Sequence, residues 1–207
     1  MGTTHVAIVL DRSGSMETCR QATISGFNEY VGEIRRTAER EEVPTRVTLT
    51  TFNGDVTVHY VDEPLARLKR LSYRTYVPGG NTAMLDAVGE TIDRLQPLDA
   101  EDDTFLVCVI SDGLENASRR YSYADIAERI QQLTATERWT FTYLGANQDL
   151  SVISRQLAIP VGNVAAYDAD PTGTSDAWIR HSASTARYFE ERAVESPRGA
   201  FYREEEE

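Results

Sequence analysis

The chain has little cysteine and almost no lysine. Cys19 and Cys108 are its only cysteines, and Lys69 is its only lysine, so arginine supplies nearly all of the positive charge. Two cysteines are too few for a disulfide scaffold, and we expect both thiols to be reduced. Cys108 lies in an apolar run and is interpreted as a small buried residue. A redox role for Cys19, which follows a serine-rich turn, stays open.

Positive charge is scarce as well. The chain carries 33 acidic residues against 21 basic ones, which leaves a net charge of −12. A nucleic-acid-binding surface needs clustered Lys and Arg to replace the counterions of the phosphates, so the composition argues against a nucleic-acid partner. Four glutamates occupy positions 204–207. We interpret residues 196–207 as a polar, acidic C-terminal tail that follows a single domain over residues 1–195.

Long hydrophobic runs are absent. The longest ones, Val6–Leu10 and Phe105–Ile110, have the length of buried strands and fall short of the roughly 18 apolar residues that a membrane helix needs. No basic segment or cleavage site precedes the first run, which predicts a chain with no signal peptide. We therefore expect a cytoplasmic protein that does not bind a membrane.

Strand and helix patterns alternate along the chain. Apolar runs and two-residue alternation predict strands over 4–10, 46–52, 56–60, 104–111, 138–144 and 161–167. Helical spacing predicts helices over about 24–38, 65–71, 85–95, 122–133, 150–157 and 176–192. The pair Asn53-Gly54 favours a type I′ turn, in which both residues have positive φ, and so predicts a hairpin. The last helix is expected to carry the following residues on one face: Ile179, Ser182, Ala186, Phe189 and Ala193.

This order of elements predicts an α/β fold. We expect a doubly wound, mostly parallel, Rossmann-like central sheet with one antiparallel edge strand and helices on both faces. In such sheets ligands bind beyond the carboxyl ends of the central strands. The residues that follow Leu10 and Ile110 are therefore the first candidates for a functional site.

Oxygen-bearing side chains follow both buried strands. One carboxylate and two hydroxyls alternate in a turn after the first strand, where Gly14 is expected to let the backbone fold so that they converge. A second carboxylate follows the other strand, and a loop over residues 79–82 supplies a third hydroxyl before a helix. Neighbouring central strands would bring these loops to one edge of the sheet. The candidate metal ligands are Asp11, Ser13, Ser15, Thr82 and Asp112.

This donor set favours a hard divalent cation. It contains two carboxylates and three hydroxyls, with no imidazole or thiolate nearby, and hard oxygen ligands select Mg²⁺, Mn²⁺ or Ca²⁺ over zinc and copper. Few protein ligands, completed by water, suit Mg²⁺ in particular, with Mn²⁺ and Ca²⁺ as alternatives. An open position on such an ion would accept an anionic oxygen from outside the chain. The pattern is typical of a binding device.

The same residues carry a family resemblance. The turn Asp11-Arg-Ser-Gly-Ser15, then Thr82, then Ser111-Asp-Gly113 resembles the metal-ion-dependent adhesion site (MIDAS) of von Willebrand factor A and integrin inserted domains. Gly-Gly-Asn-Thr-Ala and Ser-Asp-Gly-x-x-Asn, which ends at Asn116, resemble segments of stand-alone bacterial members. The resemblance covers essentially residues 4–193.

The resemblance implies roles that the spacing alone does not show. Ser13 and Ser15 would bind the ion directly, and Thr82 would do so directly or through water. Asp11 and Asp112 would mostly hold coordinating waters. A Glu or Asp of a protein partner would take the open position, and the last helix would shift on ligation in relatives that switch. Stand-alone bacterial members also resemble subunits of larger assemblies.

Other interpretations compete with a metal site. Asp-x-Ser-x-Ser on its own is commonly just a turn, because Asp and Ser hydrogen-bond their own backbone. A Mg²⁺-dependent hydrolase or phosphatase could also place an Asp after its first strand. Such an enzyme would need a second Asp where Ser13 stands and a positioned lysine, whereas Lys69 lies in a predicted surface helix. The chain also has no phosphate-binding Gly-x-x-x-x-Gly-Lys loop and no Gly-x-Ser-x-Gly elbow. We therefore expect no catalytic residue.

Several residues near these loops have two interpretations. Glu115 is close enough in sequence to tune Asp112, but a solvated surface position is the simpler expectation. The segment Tyr73–Tyr76 flanks the threonine loop and is either a partner-binding rim or ordinary surface. The three histidines share no ligand spacing.

Overall fold

The computed structural model describes residues 2–146, 148–194 and 200–202. Within these residues one sheet contains the strands β1 Thr4–Asp11, β2 Thr45–Phe52, β3 Val56–Pro64, β4 Thr104–Ser111, β5 Trp139–Ala146 and β6 Val164–Tyr167. The helices are α1 Arg20–Arg40, α2 Met84–Leu95, α3 Tyr123–Thr134, α4 Leu150–Leu157 and α5 Pro171–Ala193. No helix in this part of the chain combines the length and apolar character needed to cross a bilayer.

The strand order is β3-β2-β1-β4-β5-β6. All neighbouring pairs are parallel except β2 with β3, which is antiparallel and leaves β3 at the edge. The predicted fold class is confirmed. Because the chain leaves β1 toward β2 on one side and later enters β4 on the other, the strand order reverses between β1 and β4. The crevice beyond their carboxyl ends is where such sheets bind ligands.

Both central strands are buried on both faces. Every residue of β1 and of β4 is buried, as expected for parallel strands covered by helices on each side. Alternate residues of β1 enter two separate apolar clusters. Val6, Ile8 and Leu10 pack in the cluster that contains α1 and α5, and Ala7 and Val9 pack in the cluster that contains α2, α3 and α4. This layering fixes the positions at which the two strands end.

A glycine sets the distance between α1 and α5. A Cβ atom added to Gly26 would lie 2.2 Å from Cγ of Trp178. The Trp178 ring also packs against Phe27 and Tyr30, with ring centroids 6.3 and 5.7 Å away. The indole therefore occupies the space that a side chain at position 26 would need.

The hairpin is present, but the predicted type I′ turn is wrong. The strands are joined by Asn53–Asp55, and among the described residues neither Asn53 nor Gly54 has positive φ. The Asn53 side chain instead accepts from Asp55 N (3.0 Å) and donates to Gly79 O (2.7 Å). The Asn53 side chain thus bonds both within the turn and to the distant loop that contains Gly79.

The predicted short helix over residues 65–71 is mostly absent. Only Leu65–Arg67 form a 3-10 turn, and β3 extends to Pro64 instead of ending near Tyr60. The chain beyond the turn is held by Asn28, whose side chain donates to Leu71 O (3.0 Å) and accepts from Leu71 N (2.8 Å). These bonds satisfy the backbone without a helix. The predicted strand over 161–167 is likewise shortened by a 3-10 turn over 161–163.

The last helix buries a different face from the one that its apolar residues indicated. Ile179 is 63% exposed, whereas Trp178 and His181 are buried. The inner face is mainly polar and aromatic, and His181 Nδ1 lies 2.7 Å from the Tyr202 hydroxyl. A pattern built on aliphatic residues could not identify this face. Of the five residues predicted to line the inner face, Phe189 is the one that is fully buried.

Part of the predicted tail belongs to the fold. Phe201 is buried in the cluster that contains α1 and α5. The Phe201 N–H donates to Asn163 Oδ1 (2.9 Å), and the Tyr202 N–H donates to Gly162 O (2.8 Å). The rest of the predicted tail, 196–199 and 203–207, lies outside the described residues, and the domain boundary stays a prediction.

The close approach at Gly26 predicts opposite effects for two substitutions in α1. Gly26→Ala should lower the free energy of unfolding by about 1–3 kcal/mol, because the methyl group overlaps Trp178. Gly32→Ala should raise it by about 0.5–1 kcal/mol, because alanine loses less backbone entropy in a helix and meets only the flexible end of Arg36. Urea unfolding followed by circular dichroism measures both. Equal stability of the two variants would contradict the packing described here.

Candidate metal centre

The register of β1 and β4 brings their carboxyl ends together. Leu10 pairs with Ile110, so the next residues, Asp11 and Ser111, lie side by side. The Ser111 hydroxyl donates to Asp11 Oδ2 at 2.6 Å. The Ser111 hydroxyl, which is not among the predicted ligands, thus orients the first carboxylate.

The turn after β1 directs two hydroxyls toward the same point. Ser13 N donates to Asp11 Oδ1 at 2.6 Å, and a 3-10 turn over Gly14–Glu17 follows. The hydroxyls of Ser13 and Ser15 lie 3.2 Å apart. Gly14 does not adopt positive φ, so the convergence comes from the 3-10 turn and needs no special glycine conformation.

All three predicted hydroxyls surround one position beside Gly113. A Cβ atom built there would lie 3.1 Å from Thr82 Oγ1, 3.5 Å from Ser15 Oγ and 3.7 Å from Ser13 Oγ. Ser15 Oγ also donates to Asp112 Oδ1 at 2.5 Å. The structure therefore brings together all five side chains that were predicted as ligands.

The threonine loop is fixed by contacts with both neighbouring loops. The Asn116 side chain accepts from Thr82 N (2.9 Å), and Asn116 N donates to Thr82 O (3.0 Å). Gly80, with φ of 83°, accepts from Gly14 N at 3.0 Å. Gly80 is the position at this site where a left-handed backbone requires glycine. Asn116 thus positions Thr82 through its backbone.

The Glu115 carboxylate accepts hydrogen bonds from the backbone of two segments. Its Oε1 accepts from Ala117 N (2.9 Å) and Ser118 N (2.7 Å), and its Oε2 accepts from Leu85 N (2.9 Å). These bonds fasten the loop after Asp112 to the first turn of α2. The expectation of a surface role for Glu115 is therefore wrong, because backbone donors from two segments surround it.

Tyr76 was assigned to a possible surface rim but lies in the interior. It is 0% exposed, and its hydroxyl donates to Asp11 O at 2.6 Å. Tyr73 in the same segment is 54% exposed. No local signal separates the two tyrosines, since the difference depends on where the segment crosses the end of β1.

The two carboxylates differ in burial, since Asp11 is fully buried and Asp112 is half-buried. Burial raises the pKa of Asp11 to about 6, against the hydrogen bonds from Ser111 and Ser13 that lower it. Burial also raises the pKa of Asp112. Among the described residues neither carboxylate forms a salt bridge. The site therefore concentrates uncompensated negative charge beside three hydroxyls.

The donor set contains oxygen atoms alone. In the described part of the chain, no group of three or more His, Cys, Asp or Glu side chains could by itself hold a metal ion, so any cation at this edge would need the hydroxyls. Cys19 is fully buried, and burial raises the pKa of its thiol. A reactive thiolate is therefore disfavoured, which argues against a redox role for Cys19.

Neither a protein-family model nor a curated protein matches the sequence. Solved structures do match its fold. The proximal thread matrix protein 1 of the mussel byssus, solved with a zinc-occupied MIDAS motif, superposes with a TM-score of 0.60 at 14% identity over 89% of this chain and 46% of that chain. The ArnB paralog VWA2 from Sulfolobus acidocaldarius gives 0.58 at 14% identity over 87% and 45%.

A third similar structure is the pilus adhesin SpaC from Lactobacillus rhamnosus GG in an open conformation. Its TM-score is 0.66 at 11% identity, over 91% of this chain and 30% of that chain. This chain thus spans less than half the length of each of these chains. At such identities the similarity concerns the fold alone. The chain has a von Willebrand factor A-like fold.

Proposed function

We propose that this chain is a metal-dependent protein-binding module. An intact MIDAS at the carboxyl edge of the sheet would hold one divalent cation, and a Glu or Asp of a protein partner would bind at its open position. The observation that carries the proposal is the convergence of three hydroxyls with the buried carboxylate of Asp11 and the half-buried carboxylate of Asp112, neither of which forms a salt bridge with a described residue.

The chemistry of the site fits such an ion. Ser13, Ser15 and Thr82 supply neutral oxygens around one position, and Asp11 and Asp112 supply two negative charges. The resemblance assigns direct ligation to the serines and water-mediated roles to the carboxylates. When bound, the cation supplies a Lewis-acidic position for an anionic oxygen. The chain itself holds the hydroxyls in place and keeps Asp11 away from bulk water.

We propose Mg²⁺ as the cation, with Mn²⁺ and Ca²⁺ as alternatives. Oxygen ligands and few carboxylates suit these hard ions. The MIDAS motif of the mussel protein is zinc-occupied in one of its structures, which makes zinc the competitor to test. A role as a subunit of a larger, cytoplasmic assembly stays a prediction from the resemblance and the composition.

The site should bind metal, and removal of one hydroxyl should weaken binding. By titration calorimetry we expect the wild type to bind one Mg²⁺, and an excess of 100 times Kd should add about 2.7 kcal/mol of stability. Thr82→Val keeps the side-chain shape but removes a ligand. Loss of a residue that only hydrogen-bonds to a metal ligand typically weakens metal binding by roughly 10–100-fold. Loss of the Thr82 hydroxyl itself should therefore weaken Mg²⁺ binding by more than roughly 10-fold.

Thr45→Val provides the matched control, because Thr45 starts β2 at the opposite edge of the sheet. It should bind Mg²⁺ like the wild type. Parallel titrations with Mn²⁺, Ca²⁺ and Zn²⁺ rank the cations. Absence of any divalent cation binding by the folded wild type would refute the proposed function.

Asn116 should act as a positioning residue. Asn116→Ala removes the acceptor for Thr82 N and should weaken Mg²⁺ binding by roughly 10–100-fold, as for other outer partners of metal sites. Asn81→Ala is the control, because Asn81 is exposed in the same loop. Calorimetry, with urea unfolding to confirm folding, separates the two. Equal Mg²⁺ affinities would show that Asn116 does not position the loop.

The proposed module is not an enzyme. Lys69 is exposed in the segment that follows β3, and Asp11 is engaged with Ser13 and Ser111. With p-nitrophenyl phosphate and Mg²⁺ we therefore expect no turnover above the buffer rate. Turnover that Asp11→Asn abolishes would replace the binding proposal with a hydrolase.

A further inference from the structure

Large apolar side chains are exposed on two of the loops that build the site. Leu114 is 69% exposed, Val77 is 53% exposed and Tyr73 is 54% exposed. Isolated exposed apolar residues are ordinary, but a group around a functional site indicates an interaction surface. Leu114 lies in the loop after β4, and Val77 and Tyr73 lie in the segment between β3 and α2 that contacts the turn after β1.

Leu114 is held on the β4 side. It follows Gly113, whose backbone lies against the three hydroxyls. Gly113 O accepts from Gln148 Nε2 at 2.8 Å, and Gln148 Oε1 accepts from the Tyr143 hydroxyl at 2.8 Å. A chain of hydrogen bonds to β5 therefore fixes the backbone next to Leu114, while its side chain makes little contact with the protein.

Val77 and Tyr73 are held on the β1 side. Gly79 N donates to Arg12 O at 2.9 Å, which ties their segment to the turn after β1. Arg20 donates to Tyr73 O (2.6 Å) and to Tyr76 O (3.0 Å), and its guanidinium lies 4.7 Å from the centroid of the Tyr73 ring. The segment is anchored at both ends, so the two side chains are presented in fixed positions.

Two arginines around the site favour an acidic occupant once a cation offsets the charges of Asp11 and Asp112. Arg12 lies in the turn after β1 and Arg74 lies in the segment that carries Tyr73 and Val77, and in the described part of the chain neither pairs with a carboxylate. The Arg12 side chain contacts only a hydroxyl, Thr57 Oγ1, at 3.5 Å. In a chain with a net charge of −12, two guanidinium groups near the metal position attract acidic segments selectively.

We propose that Leu114, Val77 and Tyr73 form an apolar rim that binds a polypeptide segment in which large apolar side chains flank the metal-binding carboxylate. The inference rests on the proposed function and specifies its partner. The metal position takes the carboxylate, the rim takes its apolar neighbours, and Arg12 and Arg74 favour further acidic residues.

Three fluorescein-labelled peptides test the rim by anisotropy in saturating Mg²⁺. They are Gly-Ser-Leu-Glu-Leu-Ser-Gly, Gly-Ser-Ser-Glu-Ser-Ser-Gly and Gly-Ser-Leu-Gln-Leu-Ser-Gly. We expect the Leu-Glu-Leu peptide to bind about tenfold more tightly than the Ser-Glu-Ser peptide, because the leucines lose apolar surface to water. The Leu-Gln-Leu peptide should lose Mg²⁺-dependent binding.

Leu114→Ser and Val77→Ser should each remove most of the preference for leucine while Mg²⁺ affinity stays unchanged. Ile179→Ser is the control, because Ile179 is 63% exposed on α5, and it should keep the preference. The substituted side chains are exposed, so folding should be unaffected.

The outcomes separate this inference from the proposed function. Equal affinity for the Leu-Glu-Leu and Ser-Glu-Ser peptides, or no binding of either while Mg²⁺ binds, overturns the rim and leaves the metal site. Mg²⁺-independent binding of the Leu-Glu-Leu and Leu-Gln-Leu peptides with equal affinity supports an apolar surface but overturns carboxylate binding at the metal. Failure of every divalent cation to bind overturns both.

Discussion

The burial of Asp11 beside the half-buried Asp112 is the constraint on which this site depends, because neither carboxylate pairs with a cationic side chain of the described residues. Asp11 ends β1 and Asp112 follows β4, and the pairing of these strands brings the two negative charges to one edge. Burial of an unpaired carboxylate is costly, and hydrogen bonds offset the cost only in part. Here Ser13 N, Ser111 and Ser15 supply those bonds. A cation is the partner that would complete the charge balance.

The rest of the fold holds this edge still. Since β1 and β4 are buried on both faces, neither strand can slide without disturbing one of the two apolar clusters. The loops beyond the strands are then fastened to one another by backbone bonds, such as Gly14 N to Gly80 O and Asn116 N to Thr82 O. The hydroxyls converge because the strands define the edge and because these bonds fix the loops above it.

Features with a local cause were predictable from the sequence. Apolar runs marked both central strands, and the polar residues directly after them marked the site, because a parallel sheet gathers strand ends at one edge. The predicted helix over 122–133 is likewise present as α3, which a capping box of Ser122 and Asp125 opens. Features that depend on distant contacts were not predictable. The Asn53 side chain bonds to Gly79 in a distant loop, and α5 buries a polar and aromatic face around His181 that no aliphatic pattern marks.

A metal site that binds carboxylates needs further contacts to distinguish one protein partner from another. An open position on a divalent cation would accept a carboxylate from almost any protein, and specificity requires a difference in affinity between competing partners. Every carboxylate ligand would meet the same metal site, with the same hydroxyls and carboxylates. These groups therefore cannot provide that difference in affinity. In the proposed complex, the exposed side chains of Leu114, Val77 and Tyr73 would contact the partner residues on either side of the carboxylate. Because the backbone beneath them is fixed by hydrogen bonds, little ordering would be needed when a partner binds, and their contacts would translate more fully into discrimination.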